Sequence, residues 1–329
     1  MRFRVLSVVG LLAISASVAQ AQAGNGGAVA DPQCTGANIL TRDACQQTVD
    51  MFHYVAPLLG TALAGGNTTM AQGGAMGTRF GFIPHVSVGV RVNAVLGGAP
   101  EVQTPNATGI QNRSNSEVSN VPVPMPVVDA AIGVFKGVPL PLTNVGGVDV
   151  LLSASYLPKK DIGDISLDPE TPISIGYGLR VGLLQESLLV PGVGVSFINR
   201  SIPKTTIIAN TTGSTFEIRD LDLKSKSWRI TASKSLILFG LAVGYGKDTY
   251  ESSTAIAATV GANSVGPFAS ASEVSRNNLF ADVSMNLPFI KLVVTGGQVS
   301  GGDIKTYNGF EKAADVSRLY ASGGIRFTF

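Results

Sequence analysis

The chain has 329 residues, of which 14% are charged and 45% hydrophobic, with 39 glycines and a formal net charge of +2. The charged share is well below the roughly 25% usual in soluble globular chains, and near-neutrality gives no electrostatic footprint for nucleic acid.

Arg2 and Arg4 precede an apolar run from Val5 to Val18 and the small-residue site Ala19-Gln20-Ala21. A positive start, an apolar core and an A-x-A site define a secretory signal peptide over residues 1–21. Cleavage is expected after Ala21, with Ala23 as the alternative. No cysteine follows directly, so a lipid anchor is not expected. Removing Arg2 and Arg4 takes the 24 basic residues to 22, equal to the 22 acidic ones. No later run reaches the ~18 apolar residues that a spanning helix needs.

Residues 22–77 read as an N-terminal, disulfide-tied, hatch-like segment. Residues 22–38 are rich in small residues and are expected to lack order. Cys34 and Cys45 lie eleven positions apart, which in an oxidising compartment predicts a disulfide closing a small loop. Two cysteines without further ligands at zinc-like spacing predict no metal, and no cofactor is expected. Val49, Phe52, Val55, Leu59 and Leu63 recur at three- and four-residue spacing, predicting a helix over 41–63. Thr41 is its expected N-cap, and Pro57 is expected to bend or break it. Residues 60–77 are too glycine-rich to form a core of their own. The helix therefore needs a surface, and Phe52, Val55, Leu59 and Leu63 are the residues expected to plug one.

From Thr78 onward the period changes from helical to two. Val86, Val88, Val90, Val92 and Ala94 alternate with Ser87, Gly89, Arg91 and Asn93. Strands are predicted at 78–96, 127–137, 145–157, 172–186, 190–202, 215–233, 237–252, 274–287, 289–300 and 317–329. Long polar connections (97–126, 158–171, 203–214, 253–273, 301–316) take turns with short ones. That alternation is the mark of outer-membrane barrels, with long loops outside and short turns in the periplasm. The last strand places Leu319, Ala321, Gly323, Ile325, Phe327 and Phe329 on one face and ends on an aromatic residue. Such an ending resembles the closing strand of bacterial outer-membrane barrels, whose terminal Phe is read during insertion, which makes Phe327 and Phe329 the expected assembly signal. The fold expected for 78–329 is all-β: a transmembrane antiparallel barrel of about ten strands, with eight to fourteen possible, a short N-terminal helix or plug, and both termini on the short-turn side.

The faces expected to point inward collect Arg91, Asp149, Arg180, Arg229, Asp282 and Arg326. In a narrow barrel these charges either line a solute path or fill the interior. Arg91 and Arg326 are expected close together, offset by Asp149, Asp282 or the plug. Neither His53 nor His85 has a local nucleophile or orienting acid, so no catalytic residues are expected. Asp161, Asp164, Asp168 and Glu170 crowd one connection, but without calcium-loop spacing they read as a solvated loop.

The stretch His53-Tyr54-Val55-Ala56-Pro57-Leu58-Leu59-Gly60, then Gly65-Gly66-Asn67-Thr68, Ala71 and Gly81-Phe82, precedes the 86–96 strand. With Ile175-Gly176-Tyr177-Gly178, Ser233-Lys234-Ser235-Leu236 and Phe329, this layout resembles barrels distantly related to the FadL long-chain fatty-acid transporters. The chain lacks the Asn-Pro-Ala tripeptide of that family's hatch. The resemblance implies uptake of small hydrophobic compounds through a barrel closed by an N-terminal hatch. It also implies an outer-membrane location, and lipid and the barrel-assembly machinery as partners. The alternative reading is a structural or surface-binding barrel with a closed lumen and functional extracellular loops.

Overall fold

Strand propensity in this chain comes from β-branched and apolar residues on one face and small or polar residues on the other. The computed structural model describes residues 27–79, 83–98, 100–110, 115–119, 122–162 and 165–329. The signal-peptide reading, Gly81-Phe82 and Asp164 lie outside the described residues.

Among the described residues, one large antiparallel sheet holds β1 (Val86–Val95), β2 (Val123–Phe135), β3 (Gly147–Tyr156), β4 (Ile173–Leu184) and β5 (Gly192–Ser201). It continues through β6 (Ser214–Ser235), β7 (Phe239–Val260), β8 (Asn263–Leu287), β9 (Ile290–Ser300) and β10 (Arg318–Thr328). Each strand pairs with its predecessor in this series. In addition β10 pairs with β1, Ile325 opposite Val90, and the β5–β6 ladder sets Val195 opposite Ile230. All ten strands thus have a partner along both edges.

Side chains on the outer face are apolar over a band. On β4 the exposed residues are Ile173, Ile175, Tyr177, Leu179, Val181 and Leu183. Ten steps at ~3.3 Å span ~33 Å along the strand, or ~25 Å of height at a tilt of about 40°. Trp228 and Tyr245 meet edge-on at one rim, with ring centroids 6.2 Å apart. Past them the outer faces of β6 to β8 turn to Lys224, Lys226, Lys247 and Glu273. Exposed Phe239, Phe289, Phe327 and Phe329 mark the other rim, where the connections are short.

Beyond the Trp228 rim β6, β7 and β8 continue as a projecting sheet. It is widened by Thr205–Thr211, Ile165–Pro169 and Lys160–Ile162. The connections expected over 158–171, 203–214 and 253–273 therefore contain strand. The last of these is a hairpin turning at Gly261, with φ +58°. The first predicted strand is also revised: Thr78–Arg79 pairs with Ile83–Pro84, and the long strand starts only at Val86.

The N-terminal segment lies inside. Two helices, α1 (Pro32–Thr35) and α2 (Ile39–Ala64), are joined by the Cys34–Cys45 disulfide. Residues 27–38, expected to lack order, carry α1, capped by Asp31 Oδ1 accepting from Gln33 N at 2.8 Å. The N-cap of α2 is Asn38, whose Oδ1 accepts from Leu40 N at 3.1 Å; Thr41 sits inside the first turn and donates to Asn38 O. Pro57 neither starts nor ends the helix. Its cost of ~3 kcal/mol is carried by packing, because α2 is buried on every side from Ala44 to Ala64 except at His53 and Val55. The single apolar stripe predicted for the helix is one part of an all-round contact.

The helix enters from the long-connection end. Asn38 Nδ2 donates to Asn263 Oδ1 at the β7–β8 turn, and Ala28 N donates to Thr306 O. Phe329, by contrast, donates its N–H to Val86 O at the short-turn end. The described N-terminal residues and the C-terminus therefore lie at opposite ends, contrary to the expectation that both termini share the short-turn side. The chain must descend the interior to reach the start of β1.

Candidate functional site: the polar interior and the segment that fills it

Period-two alternation turns every second residue of each strand toward the interior, and on these strands many of those residues are charged. The segment 65–77 runs down between them, and its peptide groups are their partners. Arg91 donates to Gly65 O, and Arg229 to Ala64 O and Gly66 O. Arg180 reaches Gln72 O at 3.1 Å, and Arg326 reaches Thr69 O at 2.8 Å. Asp282 accepts from Ala71 N at 3.0 Å and from Asn67 Nδ2 at 2.7 Å. Asp149 accepts from Met76 N and Gly77 N, both at 3.1 Å. Ser233 Oγ takes Gly73 N at 2.8 Å. Gly73 is a glycine for lack of room: a Cβ there would lie 2.6 Å from Gly192 O and 2.7 Å from Thr231 O.

Arg91, Asp149, Arg180, Arg229, Asp282 and Arg326 are all buried, each against this segment. Of the offsets expected for Arg91 and Arg326, the segment supplies carbonyls to both, and neither Asp149 nor Asp282 pairs with them among the described residues. Arg91 is neutralised by Asp129 at 2.5 Å, not by Asp149 or Asp282, and Arg200 shares Asp129 at 3.2 Å. Asp149 pairs with Arg180 at 2.6 Å, and Asp248 with Arg229 at 3.2 Å. Arg326 has no acid among the described residues within ion-pair distance and rests on the carbonyls of Thr69 and Met70. Asp129, Arg200 and Asp248 were missing from the sequence reading. The parity rule that found Arg91 would have found them: Asp129 shares the face of Ala131, Arg200 that of Ile198, and Asp248 that of Gly244.

Above this polar section α2 meets apolar wall. Phe52, Leu59 and Leu63 belong to one buried cluster with Phe216, Ile218, Tyr250 and Ile256 of the projecting sheet; Val55 packs on its edge. Asp50, on the same helix, accepts from Tyr307 N at 2.8 Å, Asn308 N at 2.9 Å and Asn308 Nδ2 at 2.8 Å, tying the 301–316 connection to α2. Burial pushes its carboxyl up to about 6, against the pull of those donors.

The histidines stand apart from any such set. His85 Nδ1 lies 3.2 Å from Met76 O, and His53 packs on Phe52. Among the described residues no group of three or more His, Cys, Asp or Glu is placed to hold a metal ion. In the acidic connection, Asp168 pairs with Lys159 at 2.8 Å and Asp161 accepts from Ser166, both exposed. At the short-turn end the interior opens into two adjoining cavities of about 210 and 300 Å³, both bordered by Gln72, Glu186, Arg326 and Thr328.

No protein-family model matches the chain, and no curated protein does. Among solved structures it is similar to a TodX monoaromatic hydrocarbon channel mutant, at 12% identity and TM-score 0.32 over 75% of this chain and 67% of that one. It is similar to the CymD monoaromatic hydrocarbon channel at 13% identity and TM-score 0.25, over 90% and 97%. OmpT of Vibrio cholerae gives 10% identity and TM-score 0.20, over 75% and 98%. At these scores the likenesses carry no weight of their own.

Proposed function

We propose that this chain is an outer-membrane protein whose ten strands close into a transmembrane barrel. The signal peptide exports it, and the Phe327–Phe329 end is read by the barrel-assembly machinery. The long connections face outward. Residues 22–77 are the plug, and displacement of its 65–77 portion opens a path for small solutes. Hydrophobic compounds are the class implied by the FadL resemblance.

The observation that carries the channel reading is how the segment is held. Inner-wall arginines and aspartates bond its peptide groups, and each such bond can be exchanged for one to water at little net cost. An apolar filling would leave dry surface behind on moving. The segment is therefore tightly placed and still removable. A second reading, a barrel that stays closed and works through its outer surface, is favoured by the apolar cluster that fixes α2 in the projecting sheet.

Planar-bilayer recordings on the folded protein, with and without residues 22–77, test the proposal. Both forms should show the heat-dependent gel shift of a folded barrel. The full chain should be closed with brief openings, and the shortened one should conduct steadily. A shortened chain that keeps the gel shift and does not conduct would reject the channel reading in favour of the closed barrel.

A further inference from the structure

The short-turn mouth carries two cations that the 65–77 segment satisfies only in part: it bonds Arg326 but not Lys291. Lys291 on β9 stands directly opposite Arg326 on β10, and both turn inward. Like charges directly opposite on neighbouring strands are destabilising. Neither cation has an acid within ion-pair distance among the described residues. Glu186, which borders the same cavity, is already engaged, accepting from Ser233 Oγ at 3.0 Å and from Ser235 N. The bond given to Lys291 Nζ is a long one, 3.4 Å to Ser235 Oγ, and Arg326 Nε is buried with no partner.

The cavity of about 300 Å³ lies beside this pair; Gln72, Glu186, Ser235 and Thr328 complete its polar border, and Leu287, Phe289 and Ile290 of the β8–β9 turn form an apolar one. Leu287 and Phe289 are exposed on the outer face, Phe289 by 79%. The turn thus forms a low sill between the lipid side and two cations inside the mouth.

We propose that this mouth binds the anionic head, a carboxylate or phosphate, of an amphipathic molecule whose chain lies across the Leu287–Phe289 sill. Lys291 Nζ makes the direct bond and Arg326 supplies the field. Because Arg326 also holds Thr69 O and Met70 O, an occupied site competes for the residue that anchors the lower plug. The proposal rests on the membrane placement given above. The head could belong to a leaflet phospholipid or to a solute, and the test separates them.

The experiment is native mass spectrometry of the full chain released from a nonionic detergent, followed by titration with dodecyl phosphate. One retained phospholipid per chain identifies a leaflet lipid. No retained lipid, with 1:1 binding of dodecyl phosphate, identifies a free amphipath. In either case Lys291→Gln should weaken binding at least tenfold, Lys291→Arg should restore it, and inorganic phosphate should bind more weakly than the alkyl form. Lys291→Met, which keeps the stem, gives the same reading if the glutamine variant misassembles. Binding that is absent, or that is equal in wild type and Lys291→Gln, overturns the site. Lysine-dependent binding by a chain that lacks the heat-dependent gel shift would keep the site and overturn the membrane placement.

Discussion

Asp129 is buried, 2% exposed, between Arg91 and Arg200, so its removal strands two guanidinium groups at once. Breaking a buried pair by deleting one partner costs ~3–5 kcal/mol, far more than an exposed pair is worth. Asp129→Ala should accordingly lower the temperature of the SDS gel shift sharply, whereas Asp168→Ala, which breaks only the exposed Lys159 pair, should leave it unchanged. Asp50 predicts a pH dependence. Its carboxyl is raised from 3.8 to about 6 by burial, so its stabilising contribution is full below about 3.8 and is lost as pH rises through about 6. Two units correspond to roughly 3 kcal/mol. The unfolding midpoint of the wild type relative to Asp50→Asn should therefore fall between pH 4 and pH 7, and a constant difference would reject this role. At this scale parity singled out Arg91, Asp149, Arg180, Arg229, Asp282 and Arg326, while Asp129, Arg200 and Asp248, which obey the same rule, were passed over. The sequence hid their partners, because a carbonyl of Gly65 or Thr69 leaves no mark in a residue pattern.

A removable plug needs one fixed part and one yielding part, and the elements divide that way. The helix α2 is fixed by its apolar cluster and by the Cys34–Cys45 bond to α1. The 65–77 segment is held mainly through peptide groups and has no helix or strand of its own. Gly73→Leu would set a side chain against the ladder carbonyls of Gly192 and Thr231, and the segment, which has no ladder bonds of its own, is the part that yields. It should raise open probability in bilayers several-fold while the gel shift stays within a few degrees. Equal conductance in both proteins would show that the segment does not gate. The strand positions were legible where one face is apolar and exposed. Past the Trp228–Tyr245 rim that contrast weakens: Glu251, Ser253 and Ala271 face outward, and the inner face of β7 mixes Ser252 and Thr254 with Tyr250 and Ile256. So weak an alternation reads as a loop, and the upper hairpin of β7 and β8 was missed for that reason. The course of α2 was hidden for another: an all-round buried helix needs no stripe, and no local signal says from which end it enters.

Taken over the whole interior, the buried wall charges do not cancel. Among the described residues Arg91, Arg180, Arg200, Arg229, Arg276, Arg318 and Arg326 face inward and buried, against Asp129, Asp149, Asp248 and Asp282. Seven against four leaves an excess of three positive charges. In the closed state that excess rests on carbonyl oxygens of the plug and of neighbouring connections: Arg326 on Thr69 and Met70, Arg276 on Asp315 and Val316, Arg318 on Ala313. The polypeptide itself is the counter-ligand, supplied as partial charge rather than as carboxylates. Withdrawing the plug exposes the excess to a narrow, low-dielectric pore, where a single sign of charge concentrates the opposite ion. The chain without residues 22–77 should therefore pass chloride in preference to potassium, by on the order of several-fold at low ionic strength and less as salt screens the wall. Under a KCl gradient the reversal potential should take the sign of chloride permeation. Arg229→Gln with Arg326→Gln should move it toward zero. Cation preference in the shortened chain would mean that the wall arginines no longer line the path, and with it the plug would cease to be their counter-ligand.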